Sequence, residues 1–320
     1  MSLILSKDTT VAAQLLINGE VIGIPTETVY GLAANAFNKN SVLKIFEVKN
    51  RPFFDPLIVH THSIEKIKEF ADDIPGKLMQ LMMRFSPGPI TILVKKKDII
   101  PDIVTSGLDQ VGIRIPNHPL TLSLLRQLDF PLCAPSANPF GFVSPTTAQH
   151  VIDQLGDKIP MVLDGGECKV GLESTIVGME GDRVVLYRLG GLSVEEIENT
   201  IGKVEIQIND SSNPKAPGML SAHYAPTLPL FLGDVPKLYS EFEGKRVGLI
   251  SLQNEFAHLK FSSKKILSPS GDIAEAAANL FAALRSFSAE NTDVILAAYF
   301  PDMGLGRAIN DRLKRASVKN

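Results

Sequence analysis

The chain has few of the features that mark secreted, metal-binding or membrane-embedded proteins. Its two cysteines, Cys133 and Cys168, form neither a CxxC pair nor a disulfide framework. This pattern gives no zinc signature and is typical of a reducing compartment. The two cysteines are then most simply small buried apolar residues. The sequence contains no apolar run near the ~20 residues of a membrane helix, and its first five residues lack a basic segment. We therefore expect a cytoplasmic protein without membrane association.

The charge and the short motifs exclude further classes. A net charge of -3 argues against a general nucleic-acid coat. A local basic patch would be compatible with it, but the sequence offers no support for direct tRNA contact. The sequence has no GxxxxGK[ST] loop, no nucleophile elbow and no metal-ligand helix. With 320 residues, of which 44% are hydrophobic, the chain can bury a full core and form two domains.

Alternating helix and strand patterns predict one α/β domain over about 200 residues. One helix ends before Pro52 and takes Asn40 or Ser41 as its cap. The other predicted helices cover 8–18, 64–70, 76–85, 119–128 and 147–155. Predicted strands cover 21–24, 57–60, 90–94, 111–115, 132–135, 161–163, 174–177 and 184–187, the last two as a pair.

The composition changes between residues 206 and 229, which contain four prolines. Such a stretch is typical of an extended connector. Beyond it, predicted strands at 247–251 and 294–297 alternate with helices at 273–287 and 306–316, as in a small Rossmann-like α/β domain without a GxGxxG motif. We therefore predict a catalytic domain at 1–205, a proline-rich linker or lid at 206–229, and a second, smaller domain at 230–320.

A polar stretch directly follows the apolar run 21–24. Thr26, Glu27 and Thr28 come where a strand ends, and open α/β sheets bind ligands at the carboxyl ends of their strands. An ordinary strand-to-helix turn with a threonine or glutamate cap is the alternative.

Two further pairs of polar residues suit a nucleotide. Lys49 offers a point charge and Arg51 a planar fork, which together suit phosphate. A solvated helix end is the alternative. Ser136 and Asn138 follow a predicted strand two residues apart, either facing a cleft or forming a capped turn.

Three single residues stand out in or beside predicted strands. Arg114 lies in an apolar strand, so it is held in an ion pair or binds a ligand carboxylate. His60 ends another strand, either as a hydrogen-bonded structural residue or as a catalyst. Ser174 lies in a ligand-facing loop or simply begins a strand.

Several motifs together resemble the YrdC-like threonylcarbamoyl-AMP synthase family. They are PTETVYGL at 25–32, KNRP at 49–52, PLIVH at 56–60, FSPGPIT at 85–91, RIPNHP at 114–119 and APSAN at 134–138. The motifs PGM at 217–219 and HYAP at 223–226, followed by another α/β domain, are similar to the long, two-domain form. The resemblance implies a twisted open mixed sheet with a large positive cleft.

The resemblance also implies a set of site residues. ATP would be bound by Lys49, Arg51, Asp55, Ser136, Asn138, Ser144, Arg188 and Tyr224, with Lys49 and Arg51 catalytic. Threonine would be bound by Thr28, His60, Arg114 and Ser174. Two positions depart from the family pattern: Gln110 stands where threonine is expected, and Asp55 where asparagine is frequent.

The implied function is that of a nucleotidyltransferase. It would join ATP, L-threonine and bicarbonate into L-threonylcarbamoyl-AMP and release pyrophosphate, with Mg²⁺ accompanying ATP. Downstream transferase enzymes would use the product to make threonylcarbamoyladenosine in tRNA. The linker would then be a lid with Gly218 as hinge, and Tyr224 would reach over the ATP site; a passive spacer between the domains is the alternative. The alternative is an RNA-binding or regulatory module that uses the same cationic cleft without turnover.

Overall fold

The structure, a computed structural model, describes residues 3–208 and 224–318. The chain divides into two compact units. The first unit takes its described residues from Met1–Phe140, Ser144–Lys169 and Glu173–Leu220, and the second from Gly141–Val143, Val170–Leu172 and Ser221–Asn320. Most of the predicted linker, including Gly218 and the motif at 217–219, lies outside the described residues. The predicted domain boundaries and the lid therefore stay predictions.

An eleven-stranded mixed sheet forms the centre of the first unit, as the predicted α/β fold requires. Its order is β1-β8-β2-β3-β7-β4-β6-β5-β9-β10-β11. Parallel pairs such as β4 with β6 alternate with antiparallel pairs such as β5 with β6. The strands are β1 (Ile4–Ser6), β2 (Ile22–Ile24), β3 (Gly31–Asn35), β4 (Ile58–His60), β5 (Ile90–Lys95), β6 (Gln110–Arg114), β7 (Leu132–Cys133), β8 (Met161–Leu163), β9 (Thr175–Glu180), β10 (Arg183–Arg188) and β11 (Glu205–Ile206).

Five of the eight helices described in the first unit begin at a residue whose side chain accepts hydrogen bonds from free backbone N–H groups of the first turn. Asp8 caps the first helix and Asn38 the second, and Ser193 with Glu196 forms a capping box on the last. The helices are α1 (Thr9–Ile17), α2 (Lys39–Lys49), α3 (Ile64–Ile67), α4 (Gly76–Phe85), α5 (Asp102–Thr105), α6 (Pro119–Arg126), α7 (Ala148–Leu155) and α8 (Val194–Ile201).

A buried apolar cluster joins α1 and α6 to the sheet. Leu16 of α1 and Leu124 of α6 pack on Ile22, Ile24 and Met161, all of them inaccessible to solvent. Burying one such side chain contributes about 1.5–3 kcal/mol, so this layer holds β2 and β8 in place. The polar loop that follows β2 is thereby fixed at its origin.

The second unit contains a four-stranded, wholly parallel sheet of order β12-β15-β13-β14. Val247 and Leu249 of β13, with Val294 and Leu296 of β15, face a cluster that includes Val235. The elements are β12 (Leu230–Leu232), α9 (Val235–Glu241), β13 (Val247–Ser251), β14 (Ser263–Ile266), α10 (Ile273–Arg285), β15 (Val294–Ala297) and α11 (Gly306–Ser317). The second α/β domain is thus confirmed. Within the described part of the chain, every helix is too short or too polar to cross a membrane.

Most predicted elements are confirmed, and the differences have local causes. The cap of α2 is Asn38, whose side chain accepts the N–H groups of Asn40 and Ser41, so the prediction of either as cap was wrong. Strand β3 was not predicted, because Ala33 and Ala34 are not strand-favouring residues and only their pairing with β2 and β7 makes them extended. The predicted pair at 174–177 and 184–187 is the antiparallel hairpin of β9 and β10.

Candidate active site

The polar stretch after β2 is a buried loop between two antiparallel strands, since Ile24 pairs with Gly31. The alternative of a strand-to-helix turn is therefore wrong. Thr26 Oγ1 donates to the carbonyl of Val29 at 2.6 Å and lies 2.8 Å from Thr28 Oγ1. Thr26 Oγ1 also accepts the backbone N–H groups of Thr28 and Val29, so either hydroxyl can be the donor in the second contact. In both cases Thr28 Oγ1 keeps a lone pair that can accept from a ligand.

Lys49 ends α2 and reaches the Ser136–Asn138 turn. Asn50 adopts a left-handed conformation with φ of 54°, which ends the helix. The Lys49 ammonium is buried and donates to the backbone carbonyls of Ser136 and Asn138. Burial holds the pKa of Lys49 well below its usual value, and the nearby charge of Arg51 lowers that pKa further. Lys49 therefore holds the turn through its main chain.

Arg51 is buried against the loop that follows it. Its Nη2 lies 2.8 Å from Asp55 Oδ2 and donates to the carbonyl of Pro56 at 2.8 Å, while Nε donates to the carbonyl of Asp55. The guanidinium also lies 5.9 Å from the centre of the Phe140 ring. Lys49 and Arg51 are only 1% and 8% exposed, so the alternative of a solvated helix end is wrong for both. Asp55, which stands where asparagine is frequent in the family, supplies the carboxylate of this ion pair.

Strand pairing places His60 beside Arg114, since they are partners in the β4–β6 register. His60 is buried, with Nδ1 3.2 Å from the carbonyl of Ile58. Burial lowers the pKa of His60 to about 3, and the charge of Arg114 contributes to the shift. The imidazole is therefore neutral at physiological pH and can offer only one donor and one acceptor.

Arg114 has the ion pair that its place in an apolar strand predicts. Its Nη2 lies 2.8 Å from Glu27 Oε1, and its Nε donates to the carbonyl of Gly88 at 3.3 Å. A Cβ at Gly88 would lie 2.2 Å from the carbonyl oxygen of Phe85, so only glycine fits this bend. Among the described residues, Nη1 of Arg114 has no partner. The same guanidinium can therefore also bind a ligand carboxylate.

Ser174 is held by two neighbours just before β9. Arg188 Nε donates to its carbonyl at 3.0 Å and Nη2 to its Oγ at 3.1 Å, and Thr91 Oγ1 lies 2.7 Å from that Oγ. Because arginine can only donate, Ser174 Oγ must accept from Arg188. If Thr91 also donates, the Ser174 proton is available to a ligand acceptor. Arg188 thus lies next to the residue expected to bind threonine.

Ser144 contacts the same segment from another loop. Its hydroxyl donates to Glu173 Oε1 at 2.7 Å, and both side chains are buried. A Cβ at Gly190 would lie 2.3 Å from the Glu173 carbonyl oxygen, so glycine permits this close approach. The Glu173–Ser174 segment is therefore fixed on both sides before β9 begins.

Tyr224 and Gln110 are the remaining positions that the resemblance singles out. Tyr224, in the second unit, is 1% exposed, with φ of 64°. Its ring stacks on Phe281 at 5.4 Å between centroids, with the Arg312 guanidinium 5.0 Å from it. Its contact with ATP stays a prediction. Gln110 is exposed at the start of β6, opposite Lys95.

The first unit thus brings the predicted residues together in small groups. Lys49 meets Ser136 and Asn138, and Ser174 meets Arg188. Sequence reasoning placed Glu27 in a ligand-facing loop but did not pair it with Arg114, and it gave no role to Thr91. A buried arginine needs an acid, so Glu27 in the polar stretch could have been proposed as its partner, whereas a threonine within a strand carries no such signal.

The chain is similar to known proteins in both sequence and structure. A family profile described as "Telomere recombination" matches residues 14–190, and one described as "Threonylcarbamoyl-AMP synthase, C-terminal domain" matches residues 192–318. The threonylcarbamoyl-AMP synthase of Pyrococcus abyssi is 39% identical over 322 residues, which cover 96% of this chain and 93% of the relative. That of Bacillus subtilis is 40% identical over 317 residues, with 96% and 92% covered.

A solved structure of similar extent is that of P. abyssi Sua5 complexed with L-threonine. It superimposes with a TM-score of 0.92 at 37% sequence identity. The match covers 99% of this chain and 98% of that one.

Proposed function

The chain belongs to the two-domain Sua5 form of the threonylcarbamoyl-AMP synthase family, and we propose that it makes L-threonylcarbamoyl-AMP from ATP, L-threonine and bicarbonate, releasing pyrophosphate. It is a nucleotidyltransferase whose product serves threonylcarbamoyladenosine modification of tRNA. The observation that carries the proposal is the match over almost the whole chain to a Sua5 structure that holds L-threonine.

Threonine binds among the residues around Arg114. The guanidinium of Arg114 receives the carboxylate in a charge-assisted contact. Thr28 accepts from the substrate, and Ser174 donates its proton to the substrate when Thr91 donates to Ser174. His60, neutral and buried, lines this site without adding charge. The pattern suits a small amino acid with one hydroxyl.

ATP binds at Lys49 and Arg51, with Asp55, Ser136, Asn138, Ser144, Arg188 and Tyr224 as further contacts. Two of the three ammonium protons of Lys49 go to backbone carbonyls of the 136–138 turn, and the third can reach phosphate. The carbamate oxygen of the substrate attacks the α-phosphorus while pyrophosphate leaves. Charge grows on the phosphate oxygens, so fixed cations contribute most of the stabilisation.

Magnesium enters with ATP as part of the substrate. No group of three or more His, Cys, Asp or Glu side chains converges on one point in residues 3–208 and 224–318. Mg²⁺ usually keeps several waters and is bound through phosphates and one or two carboxylates, so this donor set fits a metal carried by the nucleotide. The ion would neutralise charge on the departing pyrophosphate. Downstream transferase enzymes then receive the labile product, in the cytoplasm where ATP and tRNA meet.

The test is pyrophosphate release with each substrate omitted in turn. We expect release only when ATP, threonine, bicarbonate and Mg²⁺ are all present. Arg114→Gln should raise KM for threonine about 100-fold, as expected for a lost carboxylate contact. Arg126→Gln, which changes an exposed arginine at the end of α6, is the matched control and should leave KM unchanged. Tight RNA binding without threonine-dependent release would overturn the proposal in favour of an RNA-binding module.

A further inference from the structure

Glu27 and Arg114 form a buried ion pair with unused hydrogen-bonding capacity. Oε1 and Nη2 lie 2.8 Å apart, and the two side chains are 6% and 5% exposed. Yet neither atom makes a hydrogen bond with any described residue. Buried polar atoms are nearly always hydrogen-bonded, so an unsatisfied pair of opposite charge needs an explanation.

Both partners are anchored by their other atoms. Glu27 Oε2 accepts the backbone N–H of Asn117 at 3.0 Å, three residues beyond Arg114. Arg114 Nε donates to the carbonyl of Gly88. These anchors keep Oε1 and Nη2 side by side at one position, while leaving both without a directed partner. The pair therefore presents one acceptor and one donor next to each other.

An α-amino acid carries the complementary groups. Its ammonium and carboxylate are separated by a single carbon, so they can meet two neighbouring atoms of opposite charge. The pair has no net charge, and neither does a zwitterion, so binding leaves no unpaired buried charge. Neither Oε1 nor Nη2 touches solvent, so a bound zwitterion must separate the two side chains. The contact between Glu27 and Arg114 is then replaced by two hydrogen bonds, one from the ammonium to Glu27 and one from Arg114 to the carboxylate.

We propose that Glu27 is a specificity-determining residue that accepts an N–H of the substrate's amino group while Arg114 binds the carboxylate. The inference rests on the proposed function, in which Arg114 binds threonine. The amino nitrogen keeps one N–H after it becomes a carbamate, so Glu27 retains a donor to accept throughout the reaction. Glu27 thereby selects amino acids against carboxylic acids that lack the amino group.

Calorimetric titration of L-threonine and of 3-hydroxybutyrate, which is threonine without its amino group, tests this assignment. The wild-type protein should prefer threonine. In Glu27→Gln that preference should fall about 10- to 100-fold, because a charge-assisted hydrogen bond is lost and Arg114 is left to attract any carboxylate. Equal weakening of both ligands, or an unchanged preference, would overturn the assignment. Glu20→Gln, which changes an exposed glutamate paired with Lys44, is the matched control and should behave as wild type.

A second variant covers the case in which Glu27→Gln does not fold, since breaking a buried pair is costly. Glu27→Asp keeps the charge but withdraws the carboxylate by one methylene. Its preference for threonine should fall several-fold, and an unchanged preference would again overturn the assignment. Threonine-dependent pyrophosphate release by the wild type separates the two proposals. Its absence contradicts the proposed function, whereas normal release with unchanged ligand preference in the Glu27 variants contradicts only this inference.

Discussion

Replacing Lys49 by methionine should separate stability from catalysis at the ATP site. The ammonium donates to two carbonyls of the 136–138 turn from a buried position. A hydrogen bond to a charged group contributes about 1.5–3 kcal/mol, so losing both costs roughly 3–6 kcal/mol before compensation. Removing the cost of burying an ammonium, several kcal/mol, opposes this loss. We therefore expect the free energy of unfolding to fall by no more than about 2 kcal/mol.

The effect of Lys49→Met on turnover should be much larger. Loss of a donor to the reacting phosphates, together with release of the turn, should lower kcat/KM about 10²- to 10³-fold. Urea unfolding and initial rates of pyrophosphate release, normalised to folded protein, measure the two effects. Lys44→Met, on the exposed face of the same helix, should change neither. Wild-type activity per folded molecule in Lys49→Met would refute the assigned role.

Three further predictions concern other buried side chains. Thr91→Val removes a hydroxyl that contacts Ser174, so KM for threonine should rise about 5- to 10-fold. Thr91→Ser should restore the KM of the wild type. An unchanged KM in Thr91→Val would show that this contact has no role in threonine binding. Because burial lowers the pKa of His60 from 6.5 to about 3, the unfolded state binds more protons than the folded state between these two pH values. The free energy of unfolding should therefore decline by about 1.4 kcal/mol per pH unit as the pH falls below 6.5. Urea unfolding of His60→Gln at several pH values should lack this decline. Tyr224→Ala should lower the free energy of unfolding by about 3 kcal/mol, since it removes the ring stacked on Phe281; unchanged stability would point to a role confined to the nucleotide.

Helices with clear periodicity were predicted well from sequence. Helix α4 runs over Gly76–Phe85, the predicted range, because a strongly one-sided apolar pattern lies between Pro75 and a residue before Pro87. Elements that depend on distant partners were not predicted. Strand β12 is only three residues long, and its pairing with β15 decides its conformation. The assignment of Gly141–Val143 and Val170–Leu172 to the second unit likewise depends on contacts that no local pattern encodes.

The candidate site shows the same division. Lys49, Arg51 and Arg114 could be singled out from sequence, because charged residues beside apolar runs are unusual. The partners of Lys49 could not, since they are main-chain carbonyls of the 136–138 turn, which any sequence could provide. Glu27 pairs with Arg114 only because β6 and the loop after β2 meet in space. Sequence gives the charges, and tertiary structure decides which of them meet.

Mass spectrometry of the product formed from ¹³C-bicarbonate tests the central claim most directly. The protein, incubated with ATP, L-threonine and Mg²⁺, should yield threonylcarbamoyl-AMP with the ¹³C label in its carbamoyl group. One pyrophosphate should be released for each labelled molecule. Pyrophosphate release with unlabelled threonyl-AMP as the product, or no adenylate at all, would contradict the account.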